Sequence, residues 1–424
     1  MTQGPGEGPP PVQQPRSGGT DGGGPPEGDN VFGARTVAYW FSTRVGGILV
    51  PLAAAVLAFL VAGIVVAATG HNPLGTYKAI FDGTGLSWPF RWLIDPDDRL
   101  TRAAASDLQQ TLLITTPLLL TALAVAFAFR CGMFNIGGNG QYIVGAVAAL
   151  YVGTHLEGLP GFLHIVLGVV AALLAGAVWG GIAGLLKATA GAHEVITTIM
   201  LNFIALFVAK YLFELGGPLQ GADPSIPRSH DIFDSAKLPE VWGRLQPLHA
   251  GIFIALAGVL VYHLLLNRTT LGYEVRAVGF NPEAARYGGI SVGRNYFIAM
   301  AISGAFAGLA GAVDLLGWKF RIATNDLDAV SVGFIGIAVA LLGRNKAIGI
   351  LFAALLFGAL QVGTSPRQLD PDVFPAVLAG NLATMIQALI ILFVGAELLI
   401  IYIWGFRRRM GFAGTPRIQP ELKA

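Results

Sequence analysis

Ten apolar runs dominate this chain: Gly46 to Thr69, Thr111 to Phe129, Phe134 to Gly153, Gly161 to Leu186, Glu194 to Phe213, Gly251 to Leu266, Tyr296 to Leu316, Ala329 to Leu342, Ala347 to Thr364 and Ala383 to Trp404. A helix needs about 20 apolar residues to cross roughly 30 Å of hydrocarbon. Inside a bilayer every backbone N–H and C=O must find a partner within the protein, and a helix meets that demand within one run. Charged residues make up only 12% of the 424, against about a quarter in a soluble domain. The fold class that follows is all-α, a polytopic membrane protein of about ten transmembrane helices. A soluble enzyme held by one anchor is excluded. The third run opens on a polar, glycine-rich stretch and the eighth is short, so these two either cross fully or re-enter.

Basic residues set the orientation, because short cytoplasmic loops collect Lys and Arg. With the N-terminus inside, Arg130, Lys187, Arg268, Arg276, Arg286, Arg344 and Lys346 all fall on the cytoplasmic side, whereas the short outer loops hold only Lys319, Arg321 and Arg367. Both termini are then cytoplasmic. Two long outer segments, residues 70–110 and 210–250, carry Pro, Asp and aromatic residues and form either a small outer cap or plain connections.

Residues 1–40 are expected to be a disordered cytoplasmic tail. Their first 30 residues contain nine Gly and seven Pro, too little apolar surface to offset the entropy of ordering. The membrane domain covers 41–405 and a basic cytoplasmic tail 406–424. A formal charge of +2 offers no basic field for nucleic acid. The single cysteine, Cys131, excludes an internal disulfide, and without a Cys/His cluster neither a metal nor another cofactor is expected. The chain has no phosphate-binding loop ending in Gly-Lys-Ser/Thr and no His-Glu-x-x-His. Hydrolysis of ATP by that route, or membrane hydrolase chemistry, is not expected of it.

Polar residues inside the runs are the candidates for function. Phe134 to Gln141 places Asn135, Asn139 and Gln141 among three glycines at the start of a span. Irregular backbone at membrane depth survives only when buried in protein or lining a watery cavity, so this break either lines a translocation path or is the cytoplasmic turn between two spans. Thr198 and Asn202 are four apart and share a helical face, as interhelical glue or as a pore wall. Glu397 lies well inside its run, either paired or facing a cavity. Asp314 sits near the outer end of its span, where a charge costs little. Gly176, Gly180 and Gly184, like Gly304 and Gly308, repeat every four residues and offer faces for close helix packing.

The hydrophilic loop from Asn267 to Asn295 contains Asn281-Pro282-Glu283-Ala284-Ala285-Arg286-Tyr287-Gly288. Asn281 suits a cap, Pro282 a first turn and Glu283 the positive helix start, so a short helix is expected on the cytoplasmic face. The stretch Leu271 to Ile290 resembles the coupling loop of ABC import permeases of the branched-chain amino acid, simple sugar and nucleoside superfamily. Met133 to Gln141 resembles that family's Phe-Asn-Ile-Gly segment, and His193 to Asn202 the segment that opens its fifth span. Asn72-Pro73-Leu74 before Tyr77, with these segments, is most similar to the nucleoside-type permeases.

The resemblance implies a transport subunit without its own ATP site, paired with a second permease, cytoplasmic ABC ATPases and an extracytoplasmic substrate-binding lipoprotein that delivers a small solute. It assigns Asn281 to Gly288 to ATPase coupling. Two other readings stand beside it: a secondary transporter driven by an ion gradient, with Glu397 as the coupling acid, and a non-transporting membrane scaffold. Simple sugars and branched-chain amino acids remain alternatives to nucleosides.

Overall fold

The computed structural model describes residues 51–243, 248–365 and 375–395. The two tails and Glu397 lie outside the described residues. Each of the ten apolar runs holds a helix. In chain order these are α1 (Pro51–Ala68), α2 (Pro73–Gly83), α3 (Trp88–Ile94), α4 (Arg99–Arg130), α5 (Gly138–His155), α6 (Gly161–Ala190), α7 (Glu194–Phe213), α8 (Gly251–Arg268), α9 (Thr270–Phe280), α10 (Pro282–Tyr287), α11 (Val292–Asp314), α12 (Thr324–Asp328), α13 (Val332–Leu342), α14 (Ala347–Gly363) and α15 (Ala376–Gly395). A π turn, Leu315–Lys319, extends α11.

Among the described residues, seven helical segments are long and apolar enough to cross a membrane: α1, α4, α6, α7, α8, α11 with its π turn, and α12 with α13. Two shorter apolar helices follow, α14 and the Gly380–Gly395 part of α15. Among the described residues the only strands, Glu240–Trp242 and Leu248–His249, form a two-stranded antiparallel pair. The molecule is an all-α polytopic membrane protein.

The bundle has two distinct ends. At one, here the loop end, α9 lies against the turn that follows α4, with α10 next to it in the chain: a Cβ on Gly279 would collide with the Arg130 carbonyl. At the other, the cap end, the two long connecting segments meet, with the rings of Trp88 and Trp242 4.8 Å apart. The 32-residue helix α4 runs from one end to the other at the centre of the bundle. All of its residues from Leu118 to Ala128 are buried.

The glycine repeats bring α6 onto α11. A Cβ on Gly176 would collide with the Gly304 carbonyl, one on Gly180 would lie 2.9 Å from Gly304 Cα, and one on Gly184 2.8 Å from Phe297 Cα. Backbones this close gain dispersion contacts that lipid cannot replace, which is how helices associate where the hydrophobic effect is absent.

Candidate functional site

Helix α4 reaches the loop end at Arg130, after which residues 131–137 double back without regular structure and α5 begins only at Gly138. The starts of α5 and α13 meet: a Cβ on Gly138 would lie 3.1 Å from Gly333 Cα. From that meeting point α13 runs 11 residues to the loop end, about 16 Å at 1.5 Å per residue. The break therefore lies one α13 length inward from the loop end. Two helix N-termini, each with orphan N–H groups and a positive dipole end, converge there.

Side chains satisfy this irregular backbone. Asn139 Nδ2 donates to the Val330 carbonyl at 2.9 Å, and its Oδ1 accepts the Gly333 N–H at 2.7 Å. Asn202, on α7, donates to the Ile136 carbonyl at 2.9 Å and accepts the Gly140 N–H at 2.7 Å. Asn135 accepts the Gly137 N–H at 2.8 Å and donates to Gln141 at 2.9 Å and to Ser303 at 2.7 Å. Ser303 in turn donates to the Ala124 carbonyl at 2.6 Å. Thr198 donates to the Glu194 carbonyl of its own helix at 2.7 Å, and it packs where a Cβ on Gly137 would lie 3.1 Å away.

Asn135, Asn139, Gln141, Thr198 and Asn202 thus come together at one break. Their polar atoms are turned into the protein, and Asn135 and Gln141 are buried. Ser303 belongs with them, yet a lone Ser in an apolar run carries no signal in the sequence.

Between the break and the cap end lies a second polar cluster. Tyr142 on α5 donates its hydroxyl to the Asp314 carboxylate. Lys319 forms an ion pair with the same carboxylate at 2.8 Å and donates to the Tyr142 hydroxyl at 3.2 Å. Asp314 is only 6% exposed, which corrects the expectation of a cheap charge near the span's end. Residues five apart do not share an α-helical face. The wider π turn brings Lys319 back over Asp314, and for that reason the pair is invisible in the sequence pattern. Phe320 ends the turn at φ 58°, in the left-handed region. Beside the pair, His249 accepts the Gly251 N–H on Nδ1 at 3.1 Å. Its burial lowers its pKa below the ordinary histidine value.

At the loop end, Asn281 caps α10 by accepting the Glu283 and Ala284 N–H groups at 3.0 and 3.1 Å, and Pro282 occupies the first turn. Glu283 and Arg286 pair loosely at 3.8 Å. Ala284, Tyr287 and Gly288 are exposed, but Ala285 is 5% exposed and packs against its own chain. That placement corrects its expected place on a face open to a partner. Phe280 and Tyr287 are 90% and 93% exposed, leaving an aromatic surface uncovered.

This surface connects inward. Glu274 of α9 accepts from Asn295 of α11 at 3.1 Å. Arg130 donates through Nη2 to the Asn345 carbonyl in the α13–α14 turn at 2.8 Å, and Tyr262 donates to the same oxygen at 2.8 Å.

A family model described as "Branched-chain amino acid transport system / permease component" matches residues 108–396. The guanosine ABC transporter permease protein NupP of Bacillus subtilis is 36% identical over 377 residues, 87% of this chain and 99% of that protein. The nucleoside ABC transporter permease protein NupB of Lactococcus lactis is 34% identical, over 83% of this chain and 92% of its own. The glucose ABC transporter permease protein TsgB13 of Haloferax volcanii is 35% identical, over 85% and 89%. No solved structure matches. With this match over most of the bundle, and relatives aligned along nearly their whole length, the chain belongs to the permease-component family of the branched-chain amino acid transport systems and is a multi-pass transport subunit of the cell membrane.

Proposed function

We propose that this permease takes up nucleosides, driven by ATP hydrolysis on partner ATPases. The observation that carries the reading is that two relatives named for guanosine and nucleoside transport align with 87% and 83% of the chain. Glucose is the second reading, favoured by the 35% identity to TsgB13. Expression of the complete transporter in a host lacking nucleoside uptake, with labelled guanosine, uridine and glucose supplied separately, tests the choice. Guanosine or uridine accumulation is expected, and uptake of glucose alone would overturn the nucleoside reading.

In this proposal the loop end is cytoplasmic and the cap end faces a substrate-binding lipoprotein. Helices α9 and α10 seat on an ATPase, with Phe280, Glu283, Ala284, Arg286 and Tyr287 as the contact surface and Asn281, Pro282 and Gly288 shaping the helix. Ala285 holds α10 to the membrane domain. Movement of α9 and α10 passes to the turn after α4 through the Gly279 contact. From Arg130 it reaches the α13–α14 turn, and α13 carries it to its start against α5. A second permease completes the path past the break. Asn135, Asn139, Gln141, Thr198 and Asn202 keep the broken backbone satisfied in that wall while the two helix starts shift.

A further inference from the structure

The segment that joins α7 to α8 includes residues 226–238, a strap at the cap end that bonds to two neighbours at once. One edge is anchored on α5 and α6. The Phe233 N–H donates to the Gly153 carbonyl at 2.9 Å, and Ile232 packs so closely on α5 that a Cβ on Gly153 would lie 2.8 Å from its side chain. His164, near the start of α6, donates through Nε2 to the Val152 carbonyl at 3.0 Å and bonds the Ser235 hydroxyl at 2.8 Å. His164, Ile232 and Ala236 are all buried along this edge.

The other edge holds the connector that leads from the π turn into α12. The Ser229 N–H donates to the Ile322 carbonyl at 2.8 Å, and the Thr324 N–H donates to the Pro227 carbonyl at 3.1 Å. Ile232 and Leu238 add N–H bonds to the carbonyls of Phe320 at 2.9 Å and Leu316 at 2.8 Å. The Ser229 hydroxyl accepts the Ile322 N–H at 3.0 Å, and Arg321 pairs with Asp231 at 3.5 Å. This edge is a polar zipper flanked by the exposed residues His230, Asp231 and Arg321.

The two edges differ in how readily they open. Hydrogen bonds beside water are exchanged for bonds to water at small net cost, and an ion pair as exposed as Arg321–Asp231 adds little. Behind the zipper the connector does not close-pack on α5: a gap of about 20 Å³, room for one water, separates Ile143 and Ala146 from Ile322 and Leu327. The connector is instead moored by polar ties, to the strap outside, to Tyr142 through Lys319, and to Asn139 through the Val330 carbonyl at the helix break. Its backbone is also irregular, with a π turn and a left-handed Phe320, and such segments gather where a chain has to switch. Beyond Thr324 only the five residues of α12 and a short link separate the zipper from the start of α13, and Lys210 of α7 holds Asp328 there at 2.7 Å. The start of α13 therefore has little slack while the zipper is closed.

We propose that the strap is a one-edged latch: it stays anchored on α5 and α6, holds the connector in this conformation, and lets go at the zipper of residues 227–229 with 322–324 when the start of α13 shifts. The role deepens the transport reading above and rests on it, whereas the place of the latch stands on the geometry.

The first test reads the parting directly, in the complete transporter in lipid nanodiscs. The native Cys131 is 1% exposed and adds little background. Ile322→Cys, on the zipper, and Ile232→Cys, on the anchored edge, replace side chains 6% and 4% exposed. Their rates of modification by a methanethiosulfonate reagent are compared without nucleotide and with ATP and vanadate. A difference of at least five-fold is expected at 322 and none at 232. Equal rates at 322 would overturn the latch, and a matching change at 232 would mean that the whole strap lifts, overturning the anchor. A change at 322 in a transporter that accumulates neither guanosine, uridine nor glucose would uphold the latch and overturn the transport reading.

The second test locks each edge. Arg228 and Ala323 form an antiparallel bridge whose hydrogen bonds lie on either side of it, a pairing with Cα atoms about 4.5 Å apart that suits a disulfide. Oxidised Arg228→Cys with Ala323→Cys should lose uptake at least tenfold, regain it with reductant, and co-purify with the ATPase throughout. Oxidised Gly153→Cys with Ile232→Cys, whose Cβ atoms would lie 3.1 Å apart, should keep parental uptake. Parental uptake by a fully cross-linked 228–323 pair would show that strap and connector travel as one body, which would overturn the latch and leave the transport reading intact.

Discussion

Asn139 shows what a single side chain does at a helix break: one amide supplies the acceptor for an orphan N–H of α13 and the donor for a carbonyl before it. Asn139→Leu should leave both groups unpaired, at about 1–3 kcal/mol each, and the yield of folded permease from a detergent-stable gel-filtration peak should drop. Asn139→Asp keeps the acceptor and places negative charge beside two helix starts, where it is favoured, so its yield should stay near the parent's. Equal losses from both variants would mean that the donor bond to Val330 matters more than the shared acceptor. The sequence exposed the oddness of Asn135, Asn139 and Gln141, and the shared face of Thr198 and Asn202, because polar residues stand out in apolar runs. It could not reveal that their polar atoms bond inward to Val330, Gly333, Ile136 and Ser303, since those partners are backbone groups or residues more than 60 positions away.

Among the elements, the contact of α6 with α11 was readable from glycine spacing because backbone approach needs only the absence of side chains on one face. The Asp314–Lys319 pair was not, because it depends on a local widening of the helix that no period of 3.6 foretells. Gly304→Val puts methyl groups where the Gly176 carbonyl lies. The penalty should be about 1–3 kcal/mol, read as a lower midpoint of thermal unfolding in detergent, and an unchanged midpoint would show that the two helices separate freely. The short helix α10 lends itself to a cleaner test of coupling. Phe280→Ala and Tyr287→Ala remove side chains that touch almost nothing in this chain, so stability should move by less than about 0.5 kcal/mol. ATPase co-purification should fall several-fold all the same. Ala285→Trp would be a poor probe of coupling, because the added ring strikes the permease itself.

For the whole molecule, the proposed orientation is tested by impermeant thiol labelling of intact cells. A cysteine at Asp231, exposed at the cap end, should react from outside, and one at Arg286 only after the cytoplasmic face is opened. Labelling at 231 from the cytoplasm would invert the arrangement. The apolar runs located the helices, since each of the ten holds one, but not which of them are long enough to cross: the third run reads as either crossing or re-entrant, and its helix starts only at Gly138, after the break. Family membership removes the support for an ion-gradient transporter built on Glu397, a residue outside the described ones.

The glycine seam between α6 and α11 also dictates a schedule. When α6 leaves the ribosome, the helix that covers its bare backbone is still unwritten, and at typical synthesis rates of 5–20 residues per second it follows on the order of ten seconds later. During that interval α6 waits in the bilayer with a face that only lipid or an insertion chaperone can cover. A nascent chain released just before α11 should therefore remain bound to such a chaperone or be degraded, whereas one released after Asp314 should acquire protease resistance across α4 to α6. Pulse-labelled chains of the two lengths, probed with limited proteolysis in membranes, would separate these fates; equal resistance would mean that the amino-terminal half closes its core alone.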